Sequence, residues 1–225
     1  MNIVVFTGAG ISAEAGISTF RGSDGLWDKY RIEDVATPHA WKKNPKLVLD
    51  FYNQRRKQVI ETTPTEAHFL LAELQKLYPS TSVITQNIDD LHERAGSKVI
   101  HLHGEIRKAR STANDSLIIA IEGWRLDLGD LCPLGSQLRP HVVWFGEEVP
   151  MMNKAIKLAS EADVFLVIGT SLLVYPAASL LHYVPAHADK WIIDPNAENM
   201  HVPGFKKISQ SASAGLKTWR SLMKL

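Results

Sequence analysis

Cysteine is almost missing from this chain of 225 residues, since Cys132 is the only one. A single thiol excludes an intramolecular disulfide and cannot supply a four-cysteine metal site within one chain. An excess of charge of one sign is missing too, because 25 lysines and arginines face 24 aspartates and glutamates, for a formal net charge of +1. No overall field therefore attracts nucleic acid or a membrane surface.

Long apolar runs are also missing. The N-terminal run at 3–6 is too short for a membrane span or for a signal sequence, and no charged segment precedes it. We therefore expect a protein with no membrane partner, located in the cytoplasm. The chain has no repeat or low-complexity tract, and its length suits one catalytic domain that can carry a smaller lobe.

Short apolar runs that end in polar or glycine-rich turns indicate buried parallel strands. They occupy residues 3–6, 83–84, 164–168 and 191–193. Helical patterns at 65–78 and 153–162 lie between them. This alternation predicts an α/β fold with a Rossmann-like, doubly wound parallel sheet, whose ligand crevice lies at the carboxyl ends of the strands.

Two stretches break the alternation of strands and helices. The first, about 31–63, contains a polar helical segment at 45–59, and the second, about 106–139, is irregular. We expect them to be two insertions that form a smaller lobe. The large, Rossmann-like part then comprises about 1–30, 64–105 and 140–225.

A glycine-rich turn follows the first predicted strand. Gly8, Gly10 and Ala13 occupy the fixed positions of the G-x-G-x-x-G/A pattern, just before a helical segment at 13–15. Glycines there permit a tight turn and let the backbone approach a pyrophosphate at the helix N-terminus. The alternative is a turn that binds nothing.

The residues after this turn differ from those of a hydride-transferring dehydrogenase. Glu33 and Asp34 lie near the spacing of a ribose ligand, but no strand-like run precedes them. Instead there is a polar loop at 16–22. Within it, Arg21 could pair with phosphate and Phe20 could shield a reactive centre from water.

Polar residues cluster after two further predicted strands. Gln86, Asn87 and Asp89 follow the second strand, and His101 and His103 come soon after. A carboxylate, two amides and a histidine can orient a sugar and accept a hydroxyl proton near neutral pH. The alternative is that these residues are helix or turn caps and surface histidines. It explains each residue taken singly, but it explains the whole set less well than a ligand site does. The turn 169–171, of glycine and two hydroxyl residues, suits phosphate or ribose.

Six motifs in order along nearly the whole chain resemble the sirtuin family. They are GAGIS at 8–12, GISTFR at 16–21, QNID at 86–89, HLHG at 101–104, FGE at 145–147 and GTS at 169–171. The resemblance implies a reaction that consumes NAD to remove an acyl group from a lysine of a protein or peptide, releasing nicotinamide and O-acyl-ADP-ribose. It implies catalytic roles for His103, as general base toward a ribose hydroxyl, and for Asn87.

The same resemblance implies a set of cofactor contacts. Besides the glycine pattern and Asn87, these are Ala9, Ser12, Phe20, Arg21, Gln86, Ile88, Asp89, Gly169, Thr170, Ser171, Asn196 and Ala212. The peptide would pair with two backbone segments, which include Phe145, Gly146 and Glu147 on one side and Leu173 on the other.

Tyr52 and Arg55 lie three residues apart in the first insertion, so that they share a helix face. They resemble the pair that marks the desuccinylase and demalonylase branch, since arginine favours bidentate carboxylate binding. The alternative is a solvated face of a basic helix.

Most sirtuins hold a structural zinc with two cysteine pairs, which this chain lacks. Ser111 stands where the first ligand is expected. We therefore expect no zinc and a small apolar core in its place, built from Leu117, Ile118, Ile119, Ile121, Trp124, Leu126 and Leu128.

Three other functions remain open at this point. An ADP-ribosyltransferase or NAD hydrolase could use the same pocket, and a non-catalytic NAD or ADP-ribose sensor would need neither His103 nor Asn87. A dehydrogenase would produce NADH. The oligomeric state is left open.

Overall fold

Six strands pair in parallel to form one sheet in the computed structural model, which describes residues 1–18 and 30–225. In sheet order they are β3 (Val99–His101), β2 (Ser82–Thr85), β1 (Ile3–Thr7), β7 (Val164–Ile168), β8 (Asp189–Ile193) and β9 (Lys206–Ile208). The four predicted strands are confirmed, and they form the centre of the sheet.

Alternate side chains of the central strands enter two cores on opposite faces of the sheet. Ile3 and Val5 pack against helices α5 (Glu66–Leu77) and α8 (Ala212–Met223). Val4 and Phe6 pack against α7 (Met152–Ser160) and a 3₁₀ helix (Ala177–Tyr183). Because both faces of β1 are buried, its sequence is a continuous apolar run. The predicted doubly wound, Rossmann-like fold is confirmed.

A second, antiparallel sheet lies in the second insertion. Its strand order is β5 (Ile118–Ala120), β4 (Gly104–Ser111), β6 (Leu138–Val142). Three helices occupy the first insertion: α2 (Ile32–Val35), α3 (Pro38–Lys43) and α4 (Pro45–Glu61). Val48 and Phe51 of α4 share a core with Ile106 of β4 and Val142 of β6, two strands of the antiparallel sheet. This packing supports a smaller lobe built from two insertions, whose limits stay a prediction.

The apolar residues expected to form a small core in the second insertion do so only in part. Ile121 and Leu126 are buried with Cys132, and Leu117 and Ile119 pack against them. The remaining three are exposed by 39–52%: Ile118, Trp124 and Leu128. The prediction was wrong for these three, since solvent-facing positions of a short strand and its loops also carry apolar residues.

Two polar side chains of α4 hold the loop after β5. The Asn53 amide donates to the Leu126 carbonyl (3.0 Å) and accepts from the Leu126 N–H (2.9 Å). The fully buried Arg56 donates to the carbonyls of Ile106 (2.6 Å) and Trp124 (2.9 Å). Since unpaired buried backbone groups are costly, these bonds make the loop depend on α4. The sequence analysis missed this contribution.

The helix after the glycine-rich turn is shorter than predicted. Helix α1 (Gly10–Ala13) has a single turn, and Glu14 lies beyond it. The Glu14 carboxylate accepts hydrogen bonds from the backbone and hydroxyl of Ser213, at the start of α8. Gly16 follows with φ +80°, which a helix cannot continue through. Among the described residues, no helix combines the length and apolar character of a membrane span.

Candidate active site

A cavity of about 580 Å³ opens at the carboxyl ends of the parallel strands. The turns after β1, β2, β7 and β8 form one wall. The facing wall comes from the segment after β6, the loop at 171–176 and α4. This is where an open α/β sheet binds its ligands.

The predicted residues that line it are Gly8, Ala9, Gly10, Tyr52, Gln86, Asn87, Ile88, His103, Phe145, Gly146, Glu147, Gly169, Thr170, Ser171, Leu173 and Asn196. Ser12 and Asp89 are buried directly behind Asn87. Among the described residues, Ala13 and Ala212 do not line the cavity. Ala13 is exposed, and Ala212 is buried at the start of α8. Phe20 and Arg21 lie outside the described residues.

The glycines at 8 and 10 allow two strand-end turns to pack together. A Cβ on Gly8 would lie 2.6 Å from the Thr170 Cβ, and one on Gly10 would lie 2.6 Å from the Gly169 Cα. Neither has positive φ, whereas Gly169 has φ +61°. Any side chain here would force the turns apart. Close contact between the turns, and not a left-handed backbone, therefore requires glycine at 8 and 10.

Ser12, Asn87 and Asp89 form one hydrogen-bonded chain beside the cavity. Asn87 Nδ2 donates to Ser12 Oγ (3.1 Å), which donates to Asp89 Oδ2 (3.1 Å). The Asn87 backbone N–H donates to Thr85 Oγ1 at 3.0 Å. Burial raises the pKa of Asp89, against the lowering by its hydrogen bonds from Leu91 and Ser12. The chain fixes the Asn87 side chain, as positioning a ligand requires.

His103 lines the cavity with one ring nitrogen already engaged. Its Nδ1 lies 2.9 Å from the Gln86 carbonyl oxygen, which can only accept, so Nδ1 carries the hydrogen. In the neutral ring Nε2 is then an acceptor. Burial lowers the pKa of His103, against the raising effect of that hydrogen bond. The ring is therefore neutral at pH 7 and suited to accept a proton.

The end of β8 contributes a residue that the sequence analysis missed. Asp194 follows the strand directly, lines the cavity and has its pKa raised by burial. The strand-end rule that predicted Asn196 applies equally to Asp194. Nearby, Gln86 Nε2 donates to Thr170 Oγ1 (2.9 Å), which joins the ends of β2 and β7.

Tyr52 and Arg55 lie buried side by side on α4, with 4% and 6% exposure. Tyr52 lines the cavity, and its hydroxyl accepts a hydrogen bond from Trp144 Nε1 (3.1 Å). Arg55 is not among the described residues that line the cavity. It lies near Tyr52 and Asp89. Burial lowers the pKa of Arg55 to about 10, so it stays charged at pH 7. The interpretation of a solvated helix face is wrong for this pair.

The Glu147 carboxylate accepts hydrogen bonds from two arginines and a backbone N–H. Arg139 binds it in a bidentate manner (2.6 and 3.1 Å), Arg110 adds a contact at 3.0 Å, and the Trp144 N–H donates at 2.8 Å. Arg139 also stacks 3.3 Å from the Trp144 ring centroid. These contacts hold the 144–147 segment against β4 and β6. The sequence analysis missed Trp144, which has no motif around it beyond the FGE that follows.

Comparison with known proteins agrees with this geometry. The sequence model of the Sir2 family matches residues 8–176. An NAD-dependent protein deacylase of Helicobacter pylori strain 26695 is 56% identical over 205 residues, which cover 90% of this chain and 88% of that protein. One of Bacteroides thetaiotaomicron is 49% identical, with coverage of 99% and 97%. A Sir2 homolog solved with NAD superimposes with a TM-score of 0.86 at 40% identity, covering 99% of this chain and 89% of the other. The chain belongs to the Sir2 family.

Proposed function

We propose that this protein is an NAD-dependent protein-lysine deacylase. The observation that carries the proposal is the pairing of His103 and Asn87 at one cavity, with the histidine neutral and the amide fixed. A sensor would need only to bind its ligand, whereas a proton acceptor with a fixed tautomer suits a reaction. Membership of a family whose relatives are named deacylases supports it.

The chemistry of the cavity wall suits NAD. The adjoining turns at 8–10 and 169–171 have small side chains, which let a pyrophosphate approach the backbone. The N–H groups of Gly8, Gly10 and Gly169 already donate to carbonyls, so the pyrophosphate would use those of Ala9, Thr170 and Ser171. Asn196 would contact the adenosine side, and Gln86 through Asp89 the nicotinamide ribose side. The dinucleotide supplies a glycosidic bond that can be broken and a ribose that accepts the acyl group. Nicotinamide and O-acyl-ADP-ribose would be the products.

The protein's own groups would act on the ribose and on the substrate lysine. His103 Nε2 would accept the proton of a ribose hydroxyl, which would raise the nucleophilicity of that oxygen toward the acyl carbon. The lysine amine would be the group that leaves the acyl carbon. Asn87 and Asp89 keep the ribose in place through the chain that includes Ser12. The acylated peptide would lie between the segments at 145–147 and 172–174, both of which line the cavity. Main-chain pairing there would give affinity with little sequence demand.

Acidic acyl groups such as succinyl and malonyl are proposed as the preferred substrates. The Tyr52 hydroxyl accepts the Trp144 indole N–H, so its own proton can go to an acceptor in the acyl pocket. Arg55 adds a buried positive charge next to that phenol. A carboxylate at the end of the acyl chain would therefore meet the Tyr52 donor in the cavity wall and be attracted by the positive charge of Arg55 buried beside it, while an acetyl group would use neither.

The test uses one peptide carrying acetyl-, malonyl- or succinyl-lysine, incubated with NAD and followed by mass spectrometry. We expect deacylated peptide, nicotinamide and O-acyl-ADP-ribose in equal amounts, with the highest kcat/KM for the acidic acyl groups. Free or protein-linked ADP-ribose without peptide deacylation would instead identify an NAD hydrolase or ADP-ribosyltransferase. Binding of NAD without any turnover would identify a sensor.

A further inference from the structure

His101 lies behind the cavity between two groups that can only accept hydrogen bonds. Its Nδ1 is 2.7 Å from the Asn87 carbonyl oxygen, and its Nε2 is 2.7 Å from Glu93 Oε1 in helix α6 (Leu91–Arg94). Its side chain is 8% exposed, against 40% for that of Glu93. With Glu93 ionised, both short contacts are satisfied only if both ring nitrogens carry hydrogen. The geometry therefore requires one proton more than a neutral imidazole beside a carboxylate would hold.

His103, the neighbouring histidine of the same motif, is neutral. His103 donates to the carbonyl of Gln86, the residue before Asn87, and is neutral with Nε2 free to accept. The two imidazoles thus bind two successive carbonyls of one backbone segment. His101 has no contact with the cavity in the described part of the chain, so its influence on a ligand passes through Asn87.

We propose that His101 is a positioning residue: held as an imidazolium between Glu93 and Asn87, it fixes the peptide group between Asn87 and Ile88, next to the one that His103 binds. This inference rests on the proposed function, because its effect is on the geometry of that reaction. The Asn87 N–H is bound to Thr85, and His101 secures the carbonyl on the other side of the residue. Together they leave the Asn87 backbone one orientation.

The charges around His101 come from several elements. Glu93 in α6 and Glu105 in β4 are acidic, and Asp89 lies on the loop after β2. His92 is close as well, but burial lowers its pKa well below the usual value, so it is neutral. Burial opposes the charge on His101, yet the Glu93 hydrogen bond and charge outweigh it and raise its pKa. The imidazolium is present below that raised pKa and lost as the pH rises through it.

Three variants separate the hydrogen bond from the charge. In His101→Leu both contacts are lost. In His101→Asn an amide at the place of Nδ1 can still donate to the Asn87 carbonyl but cannot titrate. In Glu93→Gln the new amide can donate to Nε2 of a neutral His101, whose Nδ1 then still binds Asn87. His187→Leu, at an exposed histidine, is the matched control.

For the unsubstituted protein, kcat/KM for NAD should fall at alkaline pH as His101 loses its proton. His101→Leu should lower kcat/KM at pH 7 by roughly ten- to a hundred-fold, as expected for a lost charge-assisted hydrogen bond. His101→Asn should recover most of that loss. Both His101→Asn and Glu93→Gln should abolish the alkaline fall. In neither variant does the hydrogen bond to the Asn87 carbonyl require an imidazolium.

Nitrogen NMR of histidine-labelled protein measures the charge without any turnover. The His101 signal, identified by its disappearance in His101→Asn, should remain that of an imidazolium above pH 6.5, where a solvated histidine is neutral. A neutral ring at pH 6.5 would overturn the proposal. So would an unchanged alkaline fall in His101→Asn, or activity within two-fold of normal in a folded His101→Leu. Absence of any deacylation by the unsubstituted protein would refute the proposed function instead, while the NMR result would still decide the state of His101.

Discussion

His103 Nδ1 donates a hydrogen bond to the Gln86 carbonyl across 2.9 Å, which leaves Nε2 as the acceptor of the neutral ring. This contact joins the histidine that follows β3 to the amide motif that follows β2. It sets the tautomer that a general base needs, and burial keeps the ring unprotonated at pH 7.

We predict that His103→Ala lowers the deacylation rate by roughly 10²–10⁴, the usual contribution of a general base, with NAD affinity changed by no more than a few-fold. The affinity is measured by calorimetry and the rate by nicotinamide release. In the unsubstituted protein, activity falls as His103 becomes protonated. Since burial lowers its pKa, the acid fall of kcat/KM should be centred below pH 6.5. Near-normal turnover by His103→Ala would rule out the mechanism.

The acyl preference depends on Arg55. Arg55→Met should lower kcat/KM for succinyl-lysine by roughly ten- to a hundred-fold, because the buried positive charge that favours a carboxylate beside Tyr52 is lost. Acetyl-lysine turnover should stay level or rise as the pocket becomes more apolar. Tyr52→Phe should act in the same direction but more weakly, since it removes one neutral donor and keeps the ring.

Two variants control for general damage to α4. Arg55→Lys keeps the charge and should recover part of the succinyl activity, and Lys57→Met alters an exposed position of the same helix and should have no effect. Equal losses of acetyl and succinyl turnover in Arg55→Met would mean that Arg55 stabilises the lobe. The protein would then be assigned as a deacetylase.

We predict that a strong chelator leaves folding and activity unchanged, because a single cysteine cannot supply a four-cysteine zinc site. No group of three or more His, Cys, Asp or Glu side chains suited to a metal ion occurs in the ranges 1–18 and 30–225. Metal content is measured by plasma mass spectrometry, alongside Tm and deacylation before and after chelation. Stoichiometric zinc that leaves together with activity would contradict this prediction.

We expect the loop after β5 to depend on Asn53. Asn53→Leu leaves the buried N–H and C=O of Leu126 unpaired, at a cost of about 1–3 kcal/mol for each group. The free energy of unfolding, measured with urea, should fall accordingly. Glu61→Ala, an exposed position at the end of the same helix, is the control and should change it little. A loss in Asn53→Leu no greater than that of the control would exclude the role.

Two buried histidines should make the fold sensitive to acid. The rings of His68 and His92 lie 4.7 Å apart, and burial lowers both pKa values, that of His68 to about 4. The unfolded chain takes up these protons near pH 6.5 and the folded chain does not. As the pH falls from the pKa of the unfolded chain to that of the folded chain, each histidine therefore lowers the free energy of unfolding by up to about 1.4 kcal/mol per pH unit.

His68→Gln removes one of these protons and keeps an acceptor for the Thr65 N–H, since glutamine suits the third position of a capping box. The fall in stability between pH 6.5 and pH 4 should become shallower in this variant. His187→Gln, at an exposed site, should leave the slope unchanged. An equally steep slope in His68→Gln would show that other groups cause the acid sensitivity.

The sequence by itself determined the sheet and the wall of the cavity that the strands form. A parallel strand buried on both faces must be apolar throughout, as in β1 and β7, and its carboxyl end must meet the ends of its neighbours. Gln86, Asn87 and Thr170 could therefore be assigned to one site from their positions after apolar runs, and His103 from its place soon after the second of these runs.

Only the tertiary structure decided what depends on contacts between distant segments. Gly8 is required because the turn at 169–170 packs against it, and the Glu147 carboxylate is taken up by Arg139 across the antiparallel sheet. Asn53 and Arg56 had no motif, since their partners are backbone groups some 50 to 73 residues away. Local sequence carries no record of such partners, because a backbone carbonyl is the same in every residue. For the same reason the charge of His101 follows from two acceptors that only the fold brings to one imidazole.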